Sequence, residues 1–194
     1  WLFASKLKPA QDKRIVSLLE VEGFLEIHRQ WKRMGYPFGS LVPSYATALG
    51  ASADRPAALA ELMGIIVNGG QRRPTERIAA LHFASGTPYE TVLQHHSGPS
   101  EQVLAPEVAQ AALGAVRDVV DEGTARRVKN AFTRADGTVM AVGGKTGTGD
   151  HRFETFGGQG QVVGSRVVSR SATFVFNIGE RFFGSITAYV YGPQ

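Results

Sequence analysis

Two runs near the end of the chain, residues 172–178 and 183–191, consist almost wholly of β-branched, aromatic and small residues, and only Gly179-Glu180-Arg181-Phe182 marks the break between them. Such residues fit a pleated, half-buried surface, and a glycine-led break of that length closes a hairpin. Strand character starts earlier, at Val139-Met140-Ala141-Val142, and leads into Gly143-Gly144-Lys145-Thr146-Gly147-Thr148-Gly149; a glycine-rich stretch, 157–164, follows. The first two thirds of the chain read differently. Residues 12–34 form an amphipathic helix, with Leu18, Val21 and Leu25 on one stripe and Phe24, Ile27 and Trp31 beside it. Lys32-Arg33 then place cations at the negative helix end, and Gly35 supplies the left-handed stop.

A second helix spans 55–67 on Ala58, Leu59, Leu62, Met63 and Ile66, with Asp54 as its N-cap, Pro56 in the first turn and Asn68-Gly69-Gly70 as its end. A third covers 105–122, carried by Val108, Ala112, Val116, Val119 and Val120 and stopped by Gly123. Residues 36–50, with Pro37 and Pro43, are loop, and 77–84 and 89–94 are short strand candidates joined by Ser85-Gly86-Thr87-Pro88. Helices first and neighbouring strands last predict an α+β fold with helices packed on a mainly antiparallel sheet. The expectation is one domain over 1–194, helical over about 10–135 and sheet over about 136–194.

A chain of 194 residues can bury one sizeable core. Lys plus Arg number 21 and Asp plus Glu 17, a net +4 spread along the chain, which is not the dense basic stripe of a nucleic-acid binder. The absence of cysteine excludes disulfides, thiol catalysis and Cys-ligated metals. No apolar run is long enough to cross a bilayer. The histidines, His95-His96 included, lack a metal-ligand arrangement and read as loop or surface. Arg126-Arg127-Val128-Lys129 and the basic residues between Arg14 and Lys32 read as solvated charge, with anionic glycan or lipid head groups as the alternative contact.

Chemistry concentrates in the Gly-Lys-Thr run. A phosphate-binding P-loop requires Gly-x-x-x-x-Gly-Lys-Ser/Thr, which would put a glycine where Val139 stands, and it should open a helix. The other reading is the Lys-Thr-Gly element of serine enzymes that react with penicillin. A lysine ammonium and threonine hydroxyls on an edge strand make a cationic, donor-rich patch for a carboxylate. Glycine at the next position lets a substrate backbone lie against the strand, and the following N–H can face a developing oxyanion. A glycine-rich turn with a solvated lysine is the reading without chemistry.

The surrounding landmarks carry a family resemblance. Lys32-Arg33-Met34-Gly35, Val42-Pro43-Ser44 with Ala48-Leu49-Gly50-Ala51-Ser52, Val67-Asn68-Gly69-Gly70-Gln71-Arg72-Arg73-Pro74, Pro106-Glu107-Val108 and Glu122-Gly123-Thr124-Ala125-Arg126 occur in that order before the Gly-Lys-Thr-Gly-Thr strand. In this order they resemble the transpeptidase domain of class A, bifunctional penicillin-binding proteins, in the serine β-lactamase and D,D-peptidase superfamily, over about 23–156. The resemblance implies a serine acyl-transfer enzyme of peptidoglycan synthesis, with stem peptides as substrates, β-lactams as mimics, and no cofactor, metal or nucleic acid. It implies work outside the cytoplasmic membrane, with any membrane attachment in a segment outside this chain. Carried over residue by residue, Lys145 would stabilise the substrate carboxylate and tune the proton relay. Thr146 and Thr148 would hydrogen-bond that carboxylate, Gly147 would admit the substrate backbone, and the Thr148 N–H would supply half of the oxyanion hole.

The nucleophile stays open between three readings. Ser5-Lys6-Leu7-Lys8-Pro9 satisfies Ser-x-x-Lys, which makes Ser5 the nucleophile and Lys8 its base if burial lowers the lysine pKa. Alternatively Ser5 sits at the family's Ser-x-Asn position, where Leu7 replaces the asparagine and offers no amide. In the third reading Ser5 is an ordinary terminal serine. Trp1 at the start, and an end at Gln194 before the family's long C-terminal helix, read as a chain cut at both ends. The stretch between Phe156 and Arg170 is longer than in the family and reads as a surface hairpin or as a rim loop over the site.

Overall fold

The structure, a computed structural model, describes residues 1, 4–94, 96 and 98–192. His95 lies outside the described residues. Helix α1 covers Lys8–Arg33, starting upstream of the expected point because Pro9 fits the first turn after Leu7, the N-cap. Gly35 follows at φ +99°, the conformation its place after Lys32-Arg33 demanded, and a side chain there would also press on Glu61. The C-terminal part of the helix packs: Phe24 meets the Tyr45 ring edge-on at 5.9 Å, Trp31 and His28 meet the Tyr36 ring edge-on at 5.5 and 5.9 Å, and a His28 ring nitrogen lies 3.1 Å from the Phe38 carbonyl. The stripe read as core-facing is not covered: Leu18, Val21 and Leu25 are all exposed.

The loop expected over 36–50 contains a 3-10 helix, Tyr45–Leu49, capped by the Ser44 hydroxyl. Helix α2, Pro56–Val67, has Arg55 and not Asp54 at its N-cap; the Asp54 carboxylate turns to the neighbouring Arg55 N–H at 2.7 Å and leaves the first turn uncapped. Two small antiparallel pairs follow: β1 (Gln71–Arg72) with β4 (Glu101–Gln102), and β2 (Ala80–Phe83) with β3 (Thr91–Gln94). Helix α3, Pro106–Asp121, buries Ala109 and Val120, whereas Val108 of the expected stripe is exposed. A 3-10 turn, Arg126–Val128, ends the helical part.

The remaining chain is an antiparallel sheet in the order β5 (Val142–Phe156), β6 (Val162–Ile178), β7 (Phe182–Tyr191). Strand β5 begins only at Val142; Val139 makes an isolated bridge to Thr133. Beyond Ser169, where β7 ends its pairing with Tyr191, β5 and β6 continue as a two-stranded ribbon closed by a turn from Gly157 to Gln161. The glycine-rich stretch therefore forms a surface hairpin. Mutual backbone pairing overrides the low strand preference of its glycines and charges. Val120, Ala125 and Val142 form a buried cluster, with Phe174 packed against it, that joins α3 to one face of the sheet. Helix α2 packs over β6 and β7, where the Ser185 hydroxyl donates to the Pro56 carbonyl at 2.6 Å.

Candidate active site

Strand β5 is an edge strand, and its register sets what the Lys-Thr-Gly run presents. Lys145 pairs with Val175 and Gly147 with Thr173, so alternation puts these four residues on the face toward α2. Thr146 pairs with Phe174 and Thr148 with Ala172, which turns both threonine side chains to the other face. Between the first face, α2 and the segment after the 3-10 helix lies a cleft of about 590 Å³. Lys145, Thr146, Gly147, Thr173 and Val175 form its strand wall, and Leu49, Leu59, Leu62 and Ile66 contribute to the apolar side opposite.

Two glycines hold the start of this wall in place. A Cβ on Gly143 would run into Asn177 Oδ1, and one on Gly144 into the Phe174 ring. Asn177 is fully buried and donates its Nδ2 to the Gly179 carbonyl at 2.9 Å, which clamps the β6–β7 turn beneath the strand. The opposite wall is braced by hydroxyls. Thr47 Oγ1 lies 2.6 Å from both the Val42 carbonyl and Ser52 Oγ, and the Tyr36 hydroxyl donates to the Ser52 carbonyl at 2.8 Å. Val42 and Ser52 belong to the landmark segments of the sequence, whereas Tyr36, Thr47 and Asn177 were not singled out from it. For Asn177 the available signal was a polar side chain inside an otherwise apolar strand.

Lys145 is exposed, and its Nζ donates to the Thr146 carbonyl at 2.7 Å, which leaves two further ammonium protons to donate. Thr146 Oγ1 shares a hydrogen bond of 2.7 Å with Thr124 Oγ1. Thr124 belongs to the Glu-Gly-Thr landmark, so a sequence signal for it existed. Asp54 stands at the cleft mouth, where neighbouring protein displaces part of its water. That desolvation raises its carboxyl pKa, and the hydrogen bond from the Arg55 N–H opposes the rise.

The structure thus brings Lys145, Thr146 and Gly147 to one cleft, while Thr148 and Ser5 are not among the residues that line it. Ser5 precedes α1, and its Oγ accepts the Leu7 N–H at 3.2 Å, so the Ser5–Lys8 spacing does not span a turn of helix. The Gly-Lys-Thr run lies within a strand and opens no helix, so it forms no P-loop. Among the described residues no group of three or more His, Asp or Glu side chains converges as a metal site would require.

No protein-family model matches the chain. It is similar to penicillin-binding protein 1B of Escherichia coli strain K12, at 25% identity over 134 residues, 69% of this chain and 15% of that protein. The chain therefore spans about one seventh of the length of the curated relative it matches. Penicillin-binding protein 3 of Mycobacterium tuberculosis, solved in complex with aztreonam and with ampicillin, superposes on 87% of this chain at a TM-score of 0.50 and 17% identity, using 40% and 39% of those chains. An edge-strand Lys-Thr-Gly run, a helix on the cleft side and this similarity in sequence and fold converge: the chain has the α+β fold of the transpeptidase-like domains of penicillin-binding proteins and is similar to them in sequence.

Proposed function

We propose that this chain supplies the carboxylate-binding, oxyanion-side wall of a peptidoglycan D,D-transpeptidase site, in a cell-wall synthase that works outside the cytoplasmic membrane. The observation that carries the proposal is the placement of Lys145 and Gly147 side by side on an edge strand over one cleft. Among the described residues Lys145 brings the only positive side chain to that lining, so a stem peptide's terminal carboxylate finds its counter-charge there. Gly147 presents bare backbone beside it, and a Cβ there would meet nothing within 4 Å, so the open space belongs to the ligand. In the reaction a serine hydroxyl attacks the carbonyl of the D-Ala-D-Ala bond. The C–N bond breaks, the terminal D-Ala leaves with the proton, and the acyl-enzyme passes its acyl group to a second stem's amine. The Thr148 N–H follows Gly147 on the edge strand and is assigned to the oxyanion. Thr146 holds the strand through Thr124 and offers its backbone to the cleft.

A second reading, a transpeptidase-like binding or regulatory module without a nucleophile, is favoured by the position of Ser5 away from the cleft lining and by Leu7 as a helix cap. Incubation with a labelled penicillin followed by mass spectrometry separates the two. A covalent adduct on Ser5 supports acyl transfer within this chain. Reversible capture of a fluorescent penicillin without an adduct, competed by a D-Ala-D-Ala peptide, supports the binding module. Neither adduct nor capture would sink both.

A further inference from the structure

We infer that a second, smaller cavity binds a phosphate-type oxyanion between the Arg117 guanidinium, the Lys129 ammonium and the Asn130 amide. This cavity, of about 270 Å³, shares no lining residue with the cleft. All its walls come from one continuous run, residues 117–142: the C-terminal end of α3, the two residues after the 3-10 turn, and residues 139–142 leading into β5. Local folding of this chain is therefore sufficient to build it.

Arg117 is the group that the rest of the fold leaves unpaired. It is half-buried with Nε shielded from solvent, and among the described residues its side chain has no hydrogen-bond acceptor and no ion-pair partner. Withdrawing a charge from water is costly unless it is paired, so an orphaned guanidinium beside a cavity calls for an acceptor within it. Asp121, one helical turn on, is the natural partner, but its carboxylate lies 2.9 Å from Lys129 Nζ. The lining thus carries two cations and one anion, and one positive charge lacks a counter-ion.

Asn130 adds a further donor. It stands at φ +58°, and among the described residues its amide has no hydrogen-bond partner. Three donor side chains suit a tetrahedral oxyanion, whereas a planar carboxylate is satisfied by the guanidinium fork alone. The volume lies below the roughly 300 Å³ at which sites for drug-sized ligands begin, so it suits a small ion with its waters. The ion would also steady the cleft wall. A Cβ on Gly143 would come 3.4 Å from Arg117 Cγ, so the Arg117 stem packs against β5 two residues before Lys145.

Nitrogen-15 NMR of the arginine Nε–H groups tests this in the Lys145→Ala protein, where the cleft ammonium cannot compete, at constant ionic strength against chloride. The Arg117 signal, assigned by its loss in Arg117→Met, should shift saturably with inorganic phosphate. Two charge-assisted hydrogen bonds put half-saturation on the order of 1 mM, and Lys129→Met should weaken it at least about tenfold. Arg117→Met removes an unpaired donor, so in chloride alone its urea midpoint should match or exceed that of the Lys145→Ala protein. Phosphate should raise the midpoint of the Lys145→Ala protein and leave that of the double variant unchanged. The proposal is overturned by an unsaturable shift, by one that chloride reproduces, or by phosphate stabilisation that survives Arg117→Met. Binding of acetate without phosphate overturns it too, and marks the guanidinium as the seat of a protein carboxylate.

Discussion

Replacing Gly143 by alanine tests whether the wall of the cleft is set by close packing beneath β5. The added Cβ collides with Asn177 Oδ1 and lies 3.1 Å from Val116 Cγ2 and 3.4 Å from Arg117 Cγ. Asn177 cannot yield cheaply, since it is fully buried and its Nδ2 is held by the Gly179 carbonyl at 2.9 Å. Overpacking of this kind costs about 1–3 kcal/mol, and breaking that hydrogen bond adds about 1 kcal/mol, so the expected loss is roughly 2–4 kcal/mol. Gly147→Ala is the internal control, four residues along the same strand, where a Cβ meets nothing within 4 Å. Its stability should stay within ~0.5 kcal/mol of the parent. Urea unfolding followed by circular dichroism reads both: with a slope of about 2 kcal/mol per molar, the Gly143→Ala midpoint drops by roughly 1–2 M and the Gly147→Ala midpoint stays put. Equal midpoints for the two variants would show that the tight contact under Gly143 does not hold the strand. Ligand capture should reverse the ranking, because the Gly147 methyl projects into the cleft.

Lys145→Ala should leave the urea midpoint unchanged, since the side chain is exposed, while weakening capture of a fluorescent penicillin by about ten- to a hundredfold, the worth of one charge-assisted hydrogen bond. Undiminished capture removes Lys145 from the site. Arg72 joins Glu61 at 2.7 Å and the Arg33 carbonyl at 3.0 Å, tying the end of α1 and the middle of α2 to β1; Arg72→Ala should cost about 1–2 kcal/mol in the same unfolding assay, and a neutral result would demote this clamp. The folded-state pKa of Asp54 is raised by desolvation above the ordinary 3.8, so the folded chain holds this proton more tightly than the unfolded chain. Its contribution to stability is complete below pH 3.8 and is lost as pH rises through the folded pKa. Asp54→Asn should therefore be more stable than the parent at pH 7, with the difference vanishing in acid; a difference that grows in acid contradicts the desolvation account.

The α+β class, the three long helices, the final hairpin and the Lys-Thr-Gly run were all legible in the sequence, because each rests on local patterning: periodicity, a cap, a glycine stop or a turn. Gly35 at φ +99° shows how far such a signal reaches, since one position after two cations demanded that conformation. Where pairing or layering decides, local pattern says less. The glycines and charges between Gly149 and Gly164 carry little strand preference, yet β5 and β6 pair through them, since two backbones that satisfy each other need no help from side chains. The α1 stripe had the right period and stayed uncovered, because amphipathicity shows that a helix has an apolar face and does not provide what covers it.

The site divides in the same way. Sequence alone determined which residue types stand on the Lys145–Thr148 strand, because the motif is contiguous. Only tertiary structure decided which face each side chain takes: the register of β5 on β6 sends Lys145 and Gly147 toward α2 and turns Thr146 to Thr124, 22 residues away in sequence. Side-chain direction in a strand alternates residue by residue, and a partner strand is needed to say which of the two sets meets the cleft.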